Sequence, residues 1–131
     1  MRDQNTLITE NMRISVETFY RPEHSAPSRA KHVFSYEVTI ENMGRQRVQL
    51  LRRHWYIMDG LGMLQEVEGP GVIGKQPVFH PNDLHQYESW CELITDIGKM
   101  YGYYTMIDLD TERQFKVLIP EFKLAASFRK N

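Results

Sequence analysis

Only one cysteine, Cys91, stands in the 131-residue chain. It has no partner for an intramolecular disulfide and no Cys-x-x-Cys neighbour, which excludes a disulfide scaffold and a thiolate zinc site and points to a reducing compartment. Long apolar runs are missing too. No stretch approaches the roughly 20 residues that cross a bilayer. The N-terminal MRDQNTLITENM also lacks the apolar core of a signal peptide, so a soluble cytoplasmic protein without membrane insertion is expected. Nor is there an excess of charge: 16 Lys and Arg stand against 17 Asp and Glu, a formal net charge of -1. Such a chain has no electrostatic footprint for nucleic acid. The run Arg52-Arg53-His54 beside Trp55 and Tyr56 is too short to supply one. An internal repeat and a ten-residue amphipathic helix are also absent, which leaves no basis for a solenoid, a propeller or a helix bundle.

What is there is alternation of period two. In MRISVETFY, Met12, Ile14 and Val16 face one way and Arg13, Ser15 and Glu17 the other. HVFSYEVTIEN repeats this with Phe34, Tyr36, Val38 and Ile40, as half-buried strands do. VQLLRRHWYIMDG is rich in β-branched and aromatic residues, and Leu51, Trp55 and Ile57 fall on one parity. Arg53 shares that parity, so it must end a strand, sit at a bulge or find a partner. MLQEVEG, LHQYESWCEL, KMYGYYTMIDLD and RQFKVLIPEFKL supply four further strands, separated by turns such as Asp59–Gly62 and by a hairpin-like break at Gly44. Gly102 marks a bulge or a close backbone approach, and Pro120 suits an edge strand or a strand end. RPEHSAPSRAK, with two prolines and no apolar spacing, reads as a solvated, mobile loop. About seven strands with regular turn signals predict one all-β domain over residues 1–131, an antiparallel sandwich, with 1–11 and 125–131 as flexible tails.

The motif that demands weighing is EGPGVIG. Gly69, Gly71 and Gly74 spell the G-x-G-x-x-G of dinucleotide-binding turns, where a following helix aims its free N–H groups at pyrophosphate. Pro77 leaves no room for that helix. A second reading is an anion nest, in which successive loop N–H groups with Lys75 nearby accept a phosphate or pyrophosphate. The third assigns the glycines to the backbone of a loop crossing between sheets. Asp108, Asp110 and Glu112 form an acidic turn suited to hard cations but without the further ligands of a calcium loop. His80, Asp83 and His85 flank a Pro-Asn-Asp turn. Neither group amounts to a metal site, and no cofactor is implied. Ser89 lies outside a nucleophile elbow and Cys91 has no activating neighbour in sequence, so a catalytic constellation is missing and a non-enzymatic role is expected. Tyr101, Tyr103 and Tyr104 occupy both faces of one strand, so some rings face outward, which makes Tyr101 and Tyr103 the candidate protein interface.

Five blocks occurring in order, VFSYEVTIENMG, VQLLRRHWYIMDG, VEGPGVIGKQPVFHPND, YES and MYGYYTMIDLDTERQFKVLIPEFKL, resemble the ApaG family over about residues 12 to 124. The resemblance implies an immunoglobulin- or fibronectin-III-like sandwich in a bacterial protein. It also implies an indirect link to cobalt and magnesium homeostasis and, by analogy with related domains, a role as a protein-interaction module. The competing expectation is a phosphate- or nucleotide-binding protein or enzyme that uses the Gly69–Gly74 loop, with or without magnesium. The turn Thr95-Asp96-Ile97-Gly98 departs from the family's common Thr-Pro-x-Gly, although Asp also forms turns readily.

Overall fold

A computed structural model gives the fold and describes residues 4–129. Among the described residues, nine strands make two antiparallel sheets: β1 (Gln4–Thr9), β2 (Met12–Tyr20), β3 (His32–Asn42), β4 (Val48–Asp59), β5 (Leu64–Pro70), β6 (Val78–Phe79), β7 (Leu84–Leu93), β8 (Ile97–Asp108) and β9 (Gln114–Ala125). The first sheet runs β1-β2-β3-β7 and the second β5-β4-β8-β9, with β6 pairing to β4. This is the expected all-β sandwich. The described helical segments are three short 3-10 turns, and no described helix is long and apolar enough to cross a membrane.

Alternation builds the core directly. Met12, Ile14, Val16, Val38 and Ile40 of the first sheet meet Leu50, Met106, Val117, Ile119 and Leu124 of the second, all within one buried cluster. Trp55 is 3% exposed and makes edge-to-face contacts with Tyr36 at 5.4 Å and Phe122 at 5.9 Å. A buried aromatic of this size contributes about 3–5 kcal/mol by the cost of its truncation.

The strand count exceeds the expected seven by β1 and β6. Residues 4–9, read as part of a tail, instead pair along β2 in register from Gln4 opposite Glu17 to Thr9 opposite Met12. Ser127–Arg129 forms a 3-10 turn whose Phe128 ring meets Tyr20 edge-on at 6.2 Å. Glu10 and Asn11 form the turn from β1 to β2, Ala125 ends β9, and Ala126 is buried with its N–H on Asp96 O at 2.9 Å. Only residues 1–3 and 130–131 of the two expected tails lie outside the described residues. The proline-rich loop is also folded. Its backbone bonds Arg21 N to Val33 O at 2.8 Å and Ala26 N to Lys31 O at 2.8 Å. Its Ser25 hydroxyl donates to Arg21 O and accepts from Val33 N, while Arg21 donates to the Ser35 hydroxyl at 2.8 Å. The loop thereby covers the outer face of β3, which is why Ser35 is buried.

Two connections differ from their expected type. The break at Gly44 joins β3 to β4 and so passes from one sheet to the other; it is not a hairpin. The glycine loop, expected to cross between sheets, joins β5 to β6, and both of these pair with β4. The second crossing falls instead to His80–Asp83. There the Asp83 carboxylate accepts from His80 N at 2.8 Å, and Asn82 takes a positive φ of 72°.

Candidate functional site

β4 places charged and aromatic side chains on both faces of the second sheet because it carries an irregularity. Leu50 pairs with Met106 and Arg52 with Thr105, so Leu51 is an extra residue. A bulge of one residue reverses the parity of everything after it. Val48 and Leu50 are buried before it, Trp55 after it, and Leu51 does not join Trp55 and Ile57 as a continuous face. Arg53, on the inward parity, satisfies the expectation of a partner: its Nη1 donates to the carbonyl oxygens of Pro70 at 2.9 Å and Gly71 at 3.1 Å.

The glycine loop is built around these contacts. A Cβ on Gly69 would sit 3.2–3.4 Å from the Arg53 guanidinium, so the missing side chain makes room for it. Gly71 has a φ of +62°, and a Cβ there would lie 2.1 Å from Lys75 O, a position open only to glycine. Gly71 N donates to Leu51 O at 2.8 Å, Val72 N to Lys75 O at 2.8 Å and Lys75 N to Val72 O at 3.0 Å. Ile73 and Gly74 complete this tight turn with φ of 46° and 73°. Three of the N–H groups on which an anion nest would draw are thus already bonded, and the turn leads to β6 with no intervening helix. Lys75 is exposed beside it.

Above the turn lies a cleft of about 260 Å³ between the β5 edge of one sheet and the β7 edge of the other. Arg53, Tyr36, Tyr87 and Ser89 present polar groups to it, against apolar walls that include Trp55 and Met100. The Tyr87 and Tyr104 hydroxyls share a short hydrogen bond. Burial pushes the pKa of both phenols, and that of Tyr36, above the ordinary range, so these hydroxyls stay neutral. Sequence reasoning missed this constellation. Arg53 on an inward parity was the signal available; the tyrosines come from β3, β7 and β8, which only the sandwich brings together.

The outer face of the second sheet carries the other arrangement. Tyr101 stacks on Tyr56 at 5.0 Å, Tyr56 on His54 at 4.7 Å, and His54 on Tyr103 at 5.0 Å. The two expected interface residues are therefore the ends of one four-ring ladder across β4 and β8. Glu66 and Glu68 of β5 reach the His54 ring nitrogens at 3.0 and 3.1 Å. On the other side, the Lys116 ammonium lies 4.5 Å from the Tyr103 ring centre. Tyr104 points the opposite way and is fully buried.

Two of the three acidic side chains at 108–112, Asp108 and Asp110, have partners. One Asp108 carboxylate oxygen accepts from Asp110 N and Thr111 N, and the Asp110 carboxylate accepts from the backbone N and the guanidinium of Arg47. The Arg47 bonds hold the Asp110 carboxyl below its usual range. No cluster of three or more His, Cys, Asp or Glu residues suited to a metal ion occurs among the described residues.

Residues 22–108 match the family model for the ApaG domain, DUF525. The chain belongs to the ApaG family. It is 44% identical to Protein ApaG of Mesorhizobium japonicum over 117 residues, 89% of each chain. With Protein ApaG of Azotobacter vinelandii the identity is 49% over 112 residues, 86% of this chain and 88% of the relative. The crystal structure of the ApaA protein from Bordetella pertussis superposes with a TM-score of 0.85 at 40% identity, covering 96% of this chain and 95% of that one. The ApaG fold is thus shared along nearly the whole chain.

Proposed function

We propose that the protein is a non-enzymatic interaction module of the cytoplasm that binds a protein partner through the outer face of β4 and β8. The observation that carries this reading is the Tyr101–Tyr56–His54–Tyr103 ladder. Four stacked rings on an outer sheet face, bordered by carboxylates on one side and an ammonium on the other, combine an aromatic centre with a polar rim. That composition favours protein interfaces, in which Tyr is a frequent energetic anchor. The role in cobalt and magnesium homeostasis implied by the family is indirect and passes through that partner. Supporting this, two of the three carboxylates of the acidic turn, Asp108 and Asp110, are engaged by backbone N–H groups and Arg47.

A photo-crosslinking residue in place of Leu118, which pairs with Tyr103, tests the reading in cells. The control position is Gln86, on the outer face of the other sheet. A discrete protein adduct is expected from position 118 and is expected to vanish in the Tyr101→Ala, Tyr103→Ala double variant. The same adducts from both positions, or an adduct indifferent to the double substitution, would count against the aromatic face.

A further inference from the structure

The inter-sheet cleft carries a cation into the sandwich without a carboxylate to meet it. Arg53 donates from Nη1 to two loop carbonyls and has no acidic partner among the described residues. A guanidinium stays charged at any accessible pH, and its planar edge is suited to a carboxylate. The remaining N–H donors of Arg53 are not used by those two bonds. The cleft supplies further hydroxyls from Tyr36, Tyr87 and Ser89, and apolar walls from Trp55, Ile57, Val67 and Met100.

We infer that this cleft is a binding site for a small organic carboxylate with an apolar or aromatic body, its acid group on Arg53 and its body between the two sheets. Size and charge narrow the class. A volume of about 260 Å³ falls just below the range of drug-sized sites, which favours a small molecule over a nucleotide. Lys75 does not line the cleft, so one positive charge faces it, and a monoanion matches that charge better than a phosphate dianion. Ile73 and Gly74 also line the cleft, and Ile73 is 61% exposed at the tip of the turn. The glycine loop therefore serves the site by shape. Gly69 admits the guanidinium, the carbonyls of Pro70 and Gly71 hold it, and Val72, Ile73 and Gly74 form part of the cleft wall.

The inference concerns a different face from the aromatic ladder, and its test is independent of any protein partner. The protein is titrated to millimolar concentration with phenylacetate and with its neutral isostere phenylacetamide, while the Trp55 indole N–H and the Gly74 amide are followed by NMR. Phenylacetate is expected to bind about tenfold more tightly or better, since charged hydrogen bonds exceed neutral ones by that order. Arg53→Gln is expected to erase the preference. Equal binding of the two compounds by the wild-type protein, or no perturbation at either reporter, overturns the inference. The wild-type comparison decides it even where Arg53→Gln fails to fold.

Discussion

Arg53 shows at the scale of one residue how a costly placement becomes informative. A charge between Leu51 and Trp55 in a strand demanded a bulge, a strand end or a partner, and the structure supplies a bulge at Leu51 together with two carbonyl partners. The demand was legible in the sequence, whereas the bulge was not, because no glycine or proline marks residues 50–52. Cys91 is the opposite case, a chemically notable residue with no special placement. It is buried on β7, and desolvation, with a smaller contribution from the neighbouring Glu92 charge, pushes its thiol up to about 12. Only the thiolate is a nucleophile. Iodoacetamide at pH 8.5 is therefore expected to leave Cys91 unmodified in the native protein and to alkylate it fully in denaturant, as read by intact mass. Rapid native labelling would show that the strand opens far more often than its burial allows.

At the scale of elements, the strands announced themselves by alternation, and their junctions did not. β1 was missed because Asn5, Leu7 and Thr9 give no clean apolar face; it is an edge strand held by β2 and by contacts with β9, such as Leu118 N donating to the Thr9 hydroxyl at 3.2 Å. β6 has two residues and is too short for any period. The crossings from β3 to β4 and from β6 to β7 depend on Asn42, which is 1% exposed. Its side-chain amide donates to Gln46 O at 2.8 Å and Phe79 O at 3.2 Å, and its carbonyl accepts from Gly44 N at 2.9 Å. Asn42→Ala leaves those groups unpaired and is expected to cost about 2–4 kcal/mol in urea unfolding; a loss below about 1 kcal/mol would mean that water replaces the side chain. Gly102 was legible as a point of close approach. A Cβ there would meet His54 O at 2.0 Å, and the neighbouring irregularity falls on β9, where Gly102 pairs with Ile119 but Met100 with Phe122. Pro120, which offers no N–H, lies in that interval on an edge strand, as the sequence suggested. Gly102→Ala should cost at least about 3 kcal/mol. Gly62→Ala, at a φ of +84° with open space around it, should cost only about 1–2 kcal/mol. Equal losses would refute the assignment of Gly102 to backbone contact.

The sandwich as a whole concentrates neutral acids in its interior, and this gives the molecule a pH dependence that no single strand displays. Cys91 is raised from 9.0, and Tyr36, Tyr87 and Tyr104 are all raised from 10.0, with burial the leading cause in each. Since the native state keeps these protons after the unfolded chain has released them, stability falls as pH rises. The contribution is complete below pH 9. It declines first through Cys91 and then more steeply through the tyrosines, by about 1.4 kcal/mol per pH unit for each group between its unfolded and native values. Urea unfolding at pH 8, 9, 10 and 11 is expected to show little change over the first step and a steepening loss thereafter. The double variant Tyr87→Phe, Tyr104→Phe removes both hydroxyls of one hydrogen bond, a replacement that can be nearly neutral at pH 8 because no partner is orphaned. Its decline between pH 10 and 11 should be shallower than that of the wild type. Parallel declines in the two proteins would show that the alkaline loss arises elsewhere, and that the Tyr87 and Tyr104 hydroxyls ionise at the same pH in the folded chain as in the unfolded one.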